Sequence, residues 1–137
     1  MAAFPPNPQD HRYPLVHYEV SQEFYFDAAH TLKREVEAEG SRRIHGHTYH
    51  ARATLRGLPD PATGMVYDLG HLRALLGEVR QCLDHHFLDE VAGLGVPTLE
   101  NLAAYIARSL QVRGCPVHSV EVWREAGGDH CRLTLAP

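Results

Sequence analysis

The chain lacks a cysteine pair at metal or redox spacing, a block of basic residues, and any apolar run long enough to cross a bilayer. Its three cysteines, Cys82, Cys115 and Cys131, are odd in number and far apart. That excludes a disulfide framework and a CxxC zinc module, and it suits free thiols in a reducing compartment. A formal net charge of −4 with no lysine or arginine run argues against nucleic acid as the main partner. Without a bilayer-length span, and without an apolar core in the opening MAAFPPNPQDHRYPLV, neither a membrane partner nor a signal peptide is expected, and the cytoplasm is the default compartment. Internal repeats and low-complexity segments are absent as well.

What remains is an ordinary globular composition: 137 residues, 44% hydrophobic and 22% charged, enough for one domain with a single core. The proline-rich residues 1–16 are expected to form a flexible arm ahead of one domain over 17–137.

Histidine is the informative residue. From Tyr18 the even positions run Tyr18, Val20, Gln22, Phe24, Phe26, Ala28, His30, against mostly polar or small odd positions, which is the period of a half-buried strand. In the next stretch the odd positions His45, His47, Tyr49, Ala51, Ala53 and Leu55 form the apolar set. If the two strands pair antiparallel, the end of the first lies beside the start of the second, and His30, His45 and His47 converge on one face. His50 has the other parity and is excluded. Three neutral imidazoles with an open fourth position are the ligand set of a catalytic zinc. A cupin-type metal site would need a glutamate five residues after the second histidine, and Arg52 stands there instead.

Beyond a Pro59, Asp60, Pro61, Gly64 turn, Met65 to Tyr67 read as a short extended piece. Asp68 then caps a helix with Leu72, Leu75, Leu76, Val79 and Leu83 at helical spacing, and Thr98 caps a second with Leu99, Leu102, Ala103, Ile106 and Leu110, ended by Gly114. Val117–Arg124 and His130–Leu135 read as a hairpin around AGGD. The order ββααββ predicts an α+β fold, a four-stranded antiparallel sheet with both helices on one face, whose free edges invite oligomerisation. Asp84 beside His85 is the pattern of an oriented proton-transfer pair, and Glu125 ends a strand. The glutamates Glu35, Glu37 and Glu39 fall on an expected mobile loop.

FDAAHTL, IHGHTY, TGMVYDLGHL, LDHHFLDE, VPTLEN and VEVWREA follow one another over residues 18 to 135 in an order that resembles the 6-pyruvoyltetrahydropterin and 6-carboxytetrahydropterin synthase family. The resemblance implies the tunnelling fold, in which sheets join into barrels, a hexamer with active sites at subunit interfaces, and a pterin substrate, 7,8-dihydroneopterin triphosphate. It implies zinc on His30, His45 and His47, proton transfer by His85 oriented by Asp84, a pterin edge held by Glu125, and Thr98 and Glu100 near the ring. The chain departs from the family where a cysteine base normally stands four residues before HGH, because Ser41 is there. A thiol with a pKa of about 8.5 is readily tuned to thiolate, whereas a hydroxyl needs a base of its own. Relatives that use a glutamate three residues before that histidine cleave the side chain to 6-hydroxymethyl-dihydropterin, and Arg42 occupies that position. One of the upstream glutamates, Glu39, Glu37 or Glu35, is then the candidate carboxylate base, with Glu39 the first choice. The expected function is a zinc-dependent lyase most like 6-carboxytetrahydropterin synthase of queuosine and 7-deazaguanine biosynthesis. The alternatives are the aldolase-type relative and a zinc- and pterin-binding protein without turnover.

Overall fold

Strands β1 (Tyr18–His30) and β2 (His45–Gly57) pair antiparallel along their whole length, with Ala28 opposite His47 and His30 opposite His45. The computed structural model describes residues 17–136, so the expected arm over 1–16 lies outside the described residues. Between these strands sits a short helix, α1 (Ala38–Arg42), preceded by Glu37 in the left-handed region at φ 59°. This corrects the expected mobile loop around Glu35, Glu37 and Glu39. One turn of helix is too short to show apolar periodicity, and it is held instead by hydrogen bonds from Ser41 N to Glu37 O and from Leu32 N to Ser41 O.

Helix α2 (Leu69–Leu83) starts where the Asp68 carboxylate accepts from Gly70 N, and α3 (Leu99–Val112) starts where the Thr98 hydroxyl accepts from Asn101 N. Gly114 closes α3 at φ 81°, a conformation that favours glycine. A 3₁₀ turn, Leu88–Glu90, lies between the helices and was not legible in the sequence. Met65–Tyr67 does not form the expected extended piece. Gly64 N donating to Asp60 O and Asp60 N to Met65 O fold it into a turn and bend.

Strands β3 (Ser119–Arg124) and β4 (His130–Thr134) complete an antiparallel sheet in the order β1-β2-β3-β4. Leu72, Leu76, Val79 and Leu83 of α2 and Leu102, Ile106 and Leu110 of α3 are buried with Phe26, Tyr49, Ala51, Ala53, Val120 and Val122 of the sheet. Both helices therefore cover one face, the face on which His30, His45 and His47 continue the apolar rows.

The opposite face is polar. Glu121 is buried there to 4% exposure and accepts from Arg52 Nη1 at 3.0 Å and Arg132 Nη2 at 2.9 Å. Burial alone would raise its carboxyl, but the two guanidinium hydrogen bonds overcome this and hold it below the usual carboxylate range. Register partners Tyr25, His50, Trp123 and His130 form an aromatic row across all four strands, with centroid spacings of 6.1, 5.6 and 5.6 Å. Apart from a parallel bridge between Ala29 and Phe87, β1 and β4 have no further strand partner among the described residues.

Candidate metal centre and its cleft

His30 is 1% exposed at the end of β1, and its Nδ1 donates to the Pro97 carbonyl at 3.0 Å. His45 Nδ1 donates to the Arg43 carbonyl at 2.7 Å. Each of these hydrogen bonds fixes a tautomer and leaves Nε2 as a bare lone pair. The two Nε2 atoms face each other at 3.0 Å. Two lone pairs repel at that distance unless a cation lies between them, and tetrahedral zinc with Zn–N of about 2.0–2.1 Å sets its nitrogens about 3.3 Å apart.

His47 completes the group, and one ring nitrogen from each histidine lies within 4.8 Å of the others, the one such cluster among the described residues. Burial, followed by the Arg124 guanidinium, pushes His47 down to about 4. Burial likewise lowers His30, against the raising effect of its bond to Pro97. Both are thus neutral at pH 7, the form that binds a metal. Three convergent imidazoles, two of them held by backbone carbonyls, fit a divalent ion with a fourth position to spare.

Beside the cluster opens a cleft of about 840 Å³ lined by Thr31–Arg34, Asp89, Gly95–Glu100, Arg124, Asp129 and His130. The Pro97 carbonyl that orients His30 belongs to the loop that leads into α3, so the cap Thr98 and Glu100 in the first helical turn are carried to the cleft with it. Asp89 accepts from Thr31 N at 2.9 Å and from Thr31 Oγ1, tying the residue after His30 to the 3₁₀ turn. No sequence pattern singled out Asp89.

Residues 19–133 match the model of the family described as 6-pyruvoyl tetrahydropterin synthase. The chain belongs to the 6-pyruvoyl tetrahydropterin synthase family. It is 40% identical over 110 residues to the 6-carboxy-5,6,7,8-tetrahydropterin synthase of Synechocystis sp., covering 75% of this chain and 83% of that one. It is 36% identical over 107 residues to the 6-pyruvoyl tetrahydrobiopterin synthase of Homo sapiens, covering 68% and 74%. The structure of Caenorhabditis elegans 6-pyruvoyl tetrahydropterin synthase superposes with a TM-score of 0.75 at 27% identity, over 88% of this chain and 97% of that one.

Within this pterin synthase fold the remaining candidate residues do not all reach the cleft. Asp84 caps the end of α2, and its carboxylate lies 2.9 Å from His85 Nδ1 and 3.2 Å from Arg80 Nη2 while accepting from Asp27 N at 3.0 Å. The Asp27 backbone donor, and then His85 and Arg80, keep it below the usual carboxylate range in spite of burial. His85 sits at φ 58°, uncommon for a residue with a Cβ and a mark of local strain. The pair is therefore oriented as the sequence suggested. However, His85 lines a separate groove of about 580 Å³ with Asp27, Thr48 and Phe87; His47 is on the wall of that groove, whereas the larger cleft meets the cluster through the neighbours Thr31, Pro97 and Arg124. The physical reason is the bridge to β1: His85 N donates to Asp27 O and Ala29 N to His86 O, so the segment runs along the outer edge of the strand.

Glu125 is also displaced. Alternation along β3 puts Val120, Val122 and Arg124 on the metal-facing side, and Glu125, one residue on and hydrogen-bonded through its N–H to Thr48 O, is exposed outside the cleft. A single-residue step moved the expected pterin carboxylate off that face and brought Arg124 onto it. The strand parity used for the histidines would have found this.

Ser41 is buried, and its hydroxyl donates to Ala38 O at 2.9 Å and accepts from Arg34 N at 3.2 Å. Both bonds are structural, and neither Ser41 nor the exposed Glu39 lines the cleft. Ser41→Ala is expected to cost about 1–2 kcal/mol of stability, the usual penalty for two orphaned partners, while leaving most of the turnover. Chemical denaturation beside a rate measurement checks both halves. A dead but equally stable variant would make the hydroxyl catalytic.

Proposed function

We propose that this chain is a zinc-dependent lyase that takes 7,8-dihydroneopterin triphosphate to 6-carboxy-5,6,7,8-tetrahydropterin, the product named for its Synechocystis relative. The observation that supports it most is the convergence of His30, His45 and His47 beside a cleft of about 840 Å³, large enough for a bicyclic ring and its side chain. Zinc on the three nitrogens would act as a Lewis acid toward side-chain hydroxyls. The protein's own residues do the rest. Pro97 O and Arg43 O hold the two imidazoles in the ligating tautomer, and the segment Gly95–Glu100, from the loop into the first turn of α3, walls the cleft. Glu100, rather than Glu125, is the wall carboxylate taken by neither Thr31 nor Arg124 and would accept from the donor edge of the ring, with Thr98 on the same wall.

We further propose that His85, oriented by Asp84, moves protons in the cleft of an adjacent copy, in a homo-hexamer joined through the β1 and β4 edges and working in the cytoplasm. Its place on the outer edge of β1, in a groove apart from its own chain's cleft, supports this. Among the described residues no helix is long and apolar enough to cross a membrane.

Zinc-loaded protein incubated with dihydroneopterin triphosphate is expected to yield a product with the mass and charge of the 6-carboxy pterin. A 6-hydroxymethyl product would assign the aldolase-type reaction instead. One observation favours the reading without turnover: the hydroxyl of Ser41 is committed to structure, and no thiol lines the cleft. Tight pterin binding with unchanged substrate would decide for it.

A further inference from the structure

We infer that Arg124 makes the metal-facing cleft selective for ligands that carry a carboxylate beside their metal-binding oxygen. The inference deepens the pterin reading and rests on it for the identity of the ring.

Arg124 ends β3 on the same face as the histidines, its side chain only 13% exposed. Its Nη2 donates to Asp129 Oδ2 at 3.0 Å, and its Nη1 lies 3.5 Å from His47 Nε2. Its Nε is buried and has no hydrogen-bond partner. A buried guanidinium donor without an acceptor is costly, and a metal on His47 would take that nitrogen's lone pair and leave Nη1 without its neighbour as well.

The charges around it point the same way. Lys33, Arg34 and Arg124 line the cleft against Asp89, Glu100 and Asp129. Asp89 is taken by Thr31, and Asp129 is taken by Arg124, with Arg34 Nη2 3.9 Å from the same oxygen. A divalent ion on the triad would add two positive charges next to Arg124, whose ion-pair carboxylate, Asp129, also faces Arg34. A ligand carboxylate at that point meets both cations and gives Nη1 an acceptor in place of His47, whereas a donor edge placed there would face a cation. Carboxylate and guanidinium also match in shape, two acceptors against parallel donors.

The test compares pterins that share one ring. With zinc-loaded protein, 6-carboxypterin is expected to bind about ten-fold or more tighter than 6-hydroxymethylpterin and the uncharged 6-carboxamide, the usual strength of a charge-assisted hydrogen bond. Arg124→Gln is expected to abolish that preference with zinc content unchanged, and Arg124→Lys to keep part of it. Equal binding of the acid and the amide by the unaltered protein overturns the inference without any variant, and so does a preference that survives Arg124→Gln. If no pterin binds, the pterin reading fails by itself. Cobalt-loaded protein titrated with glycolate then still reads the subsite, because a visible-spectrum shift that weakens about ten-fold in Arg124→Gln upholds it. No such dependence, or dependence seen with inorganic phosphate but not glycolate, overturns it.

Discussion

His45→Ala is expected to strip the bound metal and all pterin turnover while leaving the fold in place. Zinc binding of about 10–16 kcal/mol shared over three ligands leaves about 3–5 kcal/mol for each, so losing one weakens affinity roughly a hundred-fold or more. His45 suits the experiment better than His30. His30 is 1% exposed and wedged between Pro97 O and Tyr49, whose hydroxyl lies 3.2 Å from Nδ1, so truncating it opens a hole in packed structure. His45 is half-buried at the start of β2, and its side chain holds only the Arg43 carbonyl. Metal content per chain, measured beside circular dichroism, is expected to fall to less than about a tenth of its starting value with an unchanged spectrum. Full zinc occupancy in the variant would mean that these imidazoles are not the ligands, and the proposed chemistry would lose its foundation.

The second large effect concerns two chains at once. His85→Ala is expected to lower turnover by about 10² to 10⁴, the range of a lost acid–base group, with zinc retained. Neither it nor His45→Ala is active alone. Mixed in equal amounts, unfolded and refolded together, the two are expected to recover roughly a quarter of the normal rate, because that is the random share of joints pairing an intact metal cleft with an intact His85 from the neighbour in a closed ring. The expectation comes from the position of His85 beyond the edge of β1, in a groove separate from the cleft. A mixture as inert as its components would place the work of both residues within one chain.

Much of this site is legible in the sequence because strand geometry is rigid. Side chains alternate strictly, so once YFDAAH and IHGHTY read as strands, His30, His45 and His47 had to share a face if the strands paired. The caps at Asp68 and Thr98 were legible for a similar reason, since a short oxygen-bearing side chain before an apolar helical stripe has one favoured use. Glu125 shows how narrow that margin is: the strand ends at Arg124, and a step of one residue exchanges a carboxylate for a guanidinium on the cleft wall. Helix α1 is not legible because five residues carry no periodicity, and the structural use of Ser41, whose hydroxyl ties Arg34 N to Ala38 O, is not legible either, since only its place where the family has a cysteine singles it out in the sequence. The pairing of Asp84 with His85 was visible in their adjacency, but the groove they open into was not.

Local chemistry alone determined the strands, the caps, the two long helices and the three imidazoles, because each depends on spacing within a dozen or so residues and on the fixed periods of the backbone. Tertiary structure decided which carbonyls orient His30 and His45, that Arg124 and Asp129 close the cleft, and that His85 lies outside it. Those outcomes join residues separated by tens of positions, through loops whose paths follow from packing and hydrogen bonding and leave no period in the chain.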